Sequence, residues 1–142
     1  KTTITPLQNA LISATIANDG NLMTPYLVDR IESVDGNIVK KYEPEVRRKV
    51  ISKKRSNQIT GMMRSVVSDG TAGSLKNLSY PVAGKTGTAE FDAQGTSHAW
   101  FVGFAPAAAP GIAVSVIVEG AGTGSQYAVP IASKLFEEYL GN

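Results

Sequence analysis

Residues Val82-Ala83-Gly84-Lys85-Thr86-Gly87-Thr88-Ala89-Glu90 are the stretch of this chain whose types and spacing could do chemistry. Two hydroxyls, one ammonium and two glycines fall within five positions, Gly84 to Thr88. In an extended strand, side chains alternate between faces, so Thr86 and Thr88 share one face, Lys85 takes the other, and Gly87 adds no bulk beside the lysine. Glycine inside a strand also lets another molecule approach the backbone closely. Hydroxyls and exposed backbone N–H groups donate hydrogen bonds while the ammonium supplies charge, so the array suits an oxyanion or a carboxylate.

Two other readings compete. Gly84-Lys85-Thr86 matches the end of the phosphate-binding P-loop pattern, but that pattern needs a glycine where this chain has Ser79 and a helix directly after the threonine, where this chain has Gly87 and β-favouring residues. A nucleotide site is therefore rejected. The plainer alternative is a surface strand with ordinary threonines, which K-T-G alone does not exclude. The surrounding chain has to decide.

At 142 residues, 42% hydrophobic and 18% charged, the chain is long enough for one globular domain and is neither a disordered segment nor a coiled coil. A formal charge of +2 is too small to argue for nucleic acid. No apolar run reaches the roughly 18 residues that would span a bilayer, so neither nucleic acid nor membrane contact is expected from this chain. The absence of cysteine excludes disulfides, thiolate metal sites and a cysteine nucleophile, without deciding the compartment. With His98 as the only histidine, a histidine metal cluster is not expected.

The elements that must position the strand are read from periodicity and punctuation. A helix is expected from Pro6 to Asn18, capped by Thr5 and closed by Asp19-Gly20. Leu7, Leu11, Ala14 and Ile16, helped by Ala10 and Ile12, make it apolar around most of its girth and imply burial on more than one side. The chain opens at Lys1 almost directly on this helix, which suggests that Lys1 does not begin a natural folding unit. A β-hairpin follows, Tyr26–Ser33 and Ile38–Tyr42 around Asp35-Gly36. The basic run Arg47 to Arg55 is read as a solvated face around a helix start at Ser52, because no aromatic residues interleave its charges. A second helix, Ser52 to about Val67, carries the apolar stripe Ile59, Met62, Met63, Val66 and Val67. Beyond the K-T-G strand come His98–Ala105 and Ile112–Glu119, whose short connection favours an antiparallel pair. A last helix from about Tyr127 to Leu140 should bury Ile131, Leu135, Phe136 and Tyr139. The fold expected is α+β, an antiparallel sheet covered by helices on both faces.

Several of these segments together resemble the C-terminal half of the transpeptidase domain of a class B penicillin-binding protein, in the superfamily shared with serine β-lactamases. The residues that carry the resemblance are Ile4-Thr5-Pro6-Leu7-Gln8, Ala17-Asn18-Asp19-Gly20, Gly70-Thr71-Ala72, Ala83 to Glu90, and Trp100-Phe101-Val102-Gly103-Phe104-Ala105-Pro106. K-T-G is the third of that family's three motifs. The other two are not in the chain: of its twelve serines, none is followed by Lys in the pattern S-x-x-K or by Asn in S-x-N. The resemblance thus implies that residues 1–142 are the C-terminal part of one transpeptidase domain, with the nucleophile on a missing N-terminal part or a separate piece. A complete serine enzyme of another kind is not expected, since only His98 offers an imidazole and no pattern orients it.

The resemblance further implies roles. Lys85 would hold charge near the substrate's terminal carboxylate and the absent S-x-N serine. The hydroxyls of Thr86 and Thr88 would bind that carboxylate, Gly87 would keep the edge clear, and the Thr88 N–H would be one of two oxyanion donors. The implied reaction is acyl transfer from a D-alanyl-D-alanine stem peptide through an acyl-serine, cross-linking peptidoglycan, with β-lactam antibiotics mimicking the donor and no cofactor or metal. The location implied is the extracytoplasmic face of a bacterial membrane, anchored by an N-terminal segment. Trp100 could line the cleft, although a large aromatic starting a strand is more often core. Two readings of other classes stay open: a non-catalytic binding or regulatory module that retains the K-T-G edge, and an anion-binding protein using Arg47 to Arg55, whose binding would weaken steeply with salt.

Overall fold

The computed structural model describes residues 3–91, 95 and 97–141. Helix α1, Pro6–Ala17, begins in a capping box: Thr5 Oγ1 accepts from the Gln8 N–H at 3.2 Å and Gln8 Oε1 accepts from the Thr5 N–H at 2.8 Å. Pro6 takes the first helical position, where no amide proton is required. Asp19 and Gly20 then turn the chain through positive φ, 54° and 87°. Helix α2, Lys53–Ser68, is capped by Ser52, whose Oγ accepts from the Arg55 N–H at 3.3 Å. Helix α3 is Gly124–Leu140, beginning before the expected Tyr127.

Among the described residues, three small sheets form. Strand β1, Asn21–Met23, pairs antiparallel with β4, Val46–Lys49. The reading of Arg47 to Arg55 as a solvated face around a helix start did not include this strand. All four β4 residues are indeed exposed, so no buried face printed an alternation into the sequence. Strands β2, Arg30–Glu32, and β3, Ile38–Lys41, make the expected hairpin around Gly36, with strands shorter than predicted and every residue exposed. The main sheet runs β5-β6-β7, antiparallel throughout, from β5, Ala83–Glu90, β6, Ser97–Ala105, and β7, Ile112–Val118. The K-T-G strand lies at its edge, with β6 in the middle.

Alternation along β6 splits the core into two layers. Ala99, Phe101 and Ala105, with Val114 and Val116 of β7, face α3 and bury against its Ala128, Val129, Ala132 and Phe136. Phe101 and Phe136 meet edge-to-face at 6.4 Å and 82°, a geometry that adds about 0.5–1.5 kcal/mol to area burial. The Phe101 ring lies over Gly84 and Gly103, where a Cβ would come 2.4 Å and 2.8 Å from its Cζ, so this register requires glycine at both partners of that pair. On the opposite face Ala83 and Phe104 pack with Met63 of α2, Ala107, and Ile16 and Ala17 of α1. The sheet is covered on both faces, and the α+β expectation holds.

The helix faces differ from expectation in three places. Helix α1 is buried at Ser13 and Thr15, which lie about 200° apart around the helix, so it meets neighbours on more than one side, but the large apolar residues Leu7, 59% exposed, and Ile12, 52% exposed, are not what it buries. Against the sheet, α1 presents Ile16 and Ala17. Met62 lies off the α2 stripe at 63% exposure. In α3 only Phe136 of the four expected residues is buried, while Ile131, Leu135 and Tyr139 face outward. Ala128 and Ala132 join Val129 and Phe136 in the contact, and as small residues they let the helix backbone approach the strands closely, a preference that hydrophobic periodicity does not rank.

Candidate active site

The two preceding segments set the position of β5. The loop after α2 is tied down by the Ala72 N–H donating to Val66 O at 3.1 Å, and a 3-10 turn, Gly73–Asn77, drives Leu75 fully into the core. Pro81 O accepts from the Ala107 N–H at 2.7 Å as β5 begins. From there Ala83 to Glu90 stay in continuous register with Phe104 to Ser97.

Within β5 the predicted residues separate by face. Lys85 stands opposite Val102, on the side of α1 and α2. Thr86 and Thr88 share the other face, as alternation requires, but their surroundings differ: Thr86 is buried and Thr88 exposed. Gly87 pairs with Trp100, and a Cβ there would lie 3.2 Å from Trp100 Cβ. Trp100 is half-buried on the Lys85 face, so it is a side wall of the strand and not part of either buried cluster.

The sheet edge is what the Lys85 and threonine groups have in common. The Lys85 ammonium reaches around the strand and donates to Thr86 O at 2.6 Å. Since β6 occupies one edge, this bond places the Thr86 carbonyl on the open one; residues of an antiparallel strand alternate in which edge they face, so the Thr88 N–H and C=O point the same way. An open edge of this kind can hydrogen-bond an extended peptide or the oxygen of a reacting carbonyl. The Thr86 hydroxyl meets that of Thr71 at 2.5 Å.

Lys85 also borders an open groove of about 380 Å³ between α1 and α2, walled by Ile12, Ile59, Met62, Met63, Val66 and Val102. Ser13 lines it too, and its buried hydroxyl has no hydrogen-bond partner among the described residues. A buried hydroxyl left unpaired costs about 1–3 kcal/mol. The Ser56 hydroxyl, by contrast, donates to Ile16 O and joins α2 to α1.

Two residues of the site escaped the sequence reading. Gly124, which lies before the expected helix start at Tyr127, is the first residue of α3 and sits on the backbone of β5 and β6: a Cβ on it would fall 2.2 Å from Trp100 O, 2.7 Å from Gly87 O and 3.0 Å from Gly87 N. Thr71 carries no signal beyond its place in Gly70-Thr71-Ala72. His98 serves structure, its Nδ1 accepting from the Gly120 N–H at 3.2 Å and its ring stacking on Phe91 at 4.2 Å. No group of three or more potential metal ligands occurs among the described residues, and no described helix is long and apolar enough to cross a membrane.

Residues 2–137 match the penicillin binding protein transpeptidase domain. The chain belongs to this family. It is 39% identical over 137 residues to the peptidoglycan D,D-transpeptidase PbpA of Mycolicibacterium smegmatis, covering 90% of this chain and 28% of that protein. It is 36% identical to the stage V sporulation protein D of Bacillus subtilis, covering 96% of this chain and 23% of that one. Among solved structures it superimposes on penicillin-binding protein A from M. tuberculosis, in its imipenem acyl-enzyme complex, with a TM-score of 0.88 and 36% identity over 96% of this chain and 31% of that one. The class B resemblance is borne out by these relatives. The chain spans about a quarter of the length of the curated relatives it matches.

Proposed function

We propose that this chain is the K-T-G half of a serine D,D-transpeptidase site, which cross-links peptidoglycan stem peptides and is acylated by β-lactams. What supports the reading is the open β5 edge, with the Lys85 ammonium on it and the Thr88 amide facing outward. In this reading residues 1–142 form the C-terminal part of one transpeptidase domain, and the serine comes from a segment outside the chain. That segment would lie in the groove beside Lys85, cover Ile12 and Met62, and offer the Ser13 hydroxyl a partner. The serine oxygen bonds to the carbonyl carbon of the penultimate D-alanine and the terminal D-alanine leaves with a proton. An amine of a second stem peptide then takes the acyl group.

The Thr88 N–H donates to the carbonyl oxygen as it becomes an oxyanion, a contact of a kind that lowers barriers by roughly 3 kcal/mol. Lys85 holds positive charge beside the nucleophile and the terminal carboxylate, for which it gives up its bond to Thr86 O. Thr86 and Thr88 hydrogen-bond that carboxylate, and Gly87 keeps the edge free of side chain. No cofactor takes part. The activity belongs on the extracytoplasmic face of a bacterial membrane, where peptidoglycan is built, with an anchor outside this chain.

The test is mass spectrometry after incubation with a penicillin, on the chain alone and on the chain extended by its upstream segment. The extended protein should gain one covalent adduct and the chain alone none, because K-T-G supplies neither nucleophile nor activating base. An adduct on any serine of the isolated chain would refute the reading.

A further inference from the structure

We propose that Thr71 is a positioning residue for the substrate carboxylate: it donates its hydroxyl proton to Thr86 and so turns the Thr86 proton toward the ligand. The inference rests on the transpeptidase reading and extends it to a residue outside K-T-G. Its basis is the approach of Thr71 Oγ1 to Thr86 Oγ1 at 2.5 Å, across fifteen positions of chain. Thr86 is only 9% exposed, so its hydroxyl has few alternative partners, and Thr71 sits in a loop held by Ala72, which is fully buried and bonded to Val66 O.

The direction of the bond follows from counting protons. A hydroxyl has one proton to donate and two lone pairs, whereas a carboxylate only accepts. If Thr86 donated to Thr71, it would have no proton for the carboxylate and would present lone pairs to an anion. With an anion bound, the favourable arrangement runs Thr71 O–H to Thr86 Oγ1, then Thr86 O–H to the carboxylate, and each bond polarises the next. Thr71 thus acts through Thr86, from the α3 side of the sheet, while Lys85 approaches from the opposite side.

The experiment compares acylation rates of the upstream-extended protein and its Thr71→Val, Thr71→Ser and Thr86→Val variants. Two probes are used: a penicillin, and the same penicillin with its carboxylate methylated. Thr71→Val keeps the β-branched shape and removes the donor. It should slow the carboxylate probe about tenfold, leave the ester probe unchanged and cost nothing further in a Thr86→Val background; Thr71→Ser should restore most of the rate. Equal loss on both probes, or an undiminished loss in the Thr86→Val background, would assign Thr71 a structural role and overturn the inference. So would parental rates on both probes. A parent that takes no penicillin at all would instead bring down the transpeptidase reading, and this inference with it.

Discussion

Replacing Gly124 by alanine should damage the site from behind, without replacing any residue that meets substrate. The added Cβ would lie 2.2 Å from Trp100 O, against an ordinary contact of about 3.4 Å, so the helix and the strand pair must separate by roughly 1.2 Å, the difference of the two. The obstructing atoms are backbone, at Trp100 and Gly87, so no side chain can swing aside. Overpacking of this kind costs about 1–3 kcal/mol. The strain falls on the Gly87 peptide that precedes the Thr88 N–H, and displacement of a reacting group by about 1 Å can cost on the order of 100-fold in rate. Acylation of the upstream-extended protein by a labelled penicillin, read alongside thermal unfolding, should show a rate loss near that size with moderate destabilisation. Gly61→Ala is the matched control: its added Cβ meets nothing within 4 Å, and inside α2 alanine should stabilise by about 1 kcal/mol while leaving acylation unchanged. Parental acylation and melting in Gly124→Ala would show that α3 does not hold the K-T-G strand in place.

Lys85→Ala should reduce penicillin acylation far more than it lowers the melting temperature, since Lys85 is exposed and its one hydrogen bond among the described residues returns to its own strand; equal acylation rates in variant and parent would remove Lys85 from the mechanism. Replacing Lys53, Lys54 and Arg55 together by Gln should leave acylation unchanged. The only ion pair lost among the described residues is Lys53 to Asp19 at 2.9 Å, which is solvent-exposed and contributes at most about 1 kcal/mol. A large loss of acylation in the triple variant would place that basic face in contact with substrate or cell wall.

Local signals were legible wherever a few adjacent residues carried the physics. The Thr5–Gln8 capping box, the Ser52 cap, the Gly36 turn and the alternation through β5, β6 and β7 all act within a few positions, so the sequence displayed them directly. K-T-G was legible as chemistry because its spacing on a strand is set by the two-residue repeat of the backbone. The β1–β4 pair was not, because an exposed ladder is held by backbone groups and leaves no alternation to read.

What the sequence by itself determined is therefore the class of the fold, the strand that bears the candidate site and the absence of an S-x-x-K or S-x-N serine. The tertiary structure decided which side each group meets. It put Lys85 beside an apolar groove, set Thr86 against Thr71, left Leu7 and Ile12 uncovered, and made the α3 contact with Ala128, Val129, Ala132 and Phe136 and not with Ile131, Leu135 or Tyr139. It also gave Gly124 its reason, since nothing in a glycine-rich run says which member must pass within van der Waals reach of another strand's backbone. Such choices depend on how helices and sheet approach one another across tens of residues. Close packing allows few such arrangements, and short-range patterns do not encode the distances between them.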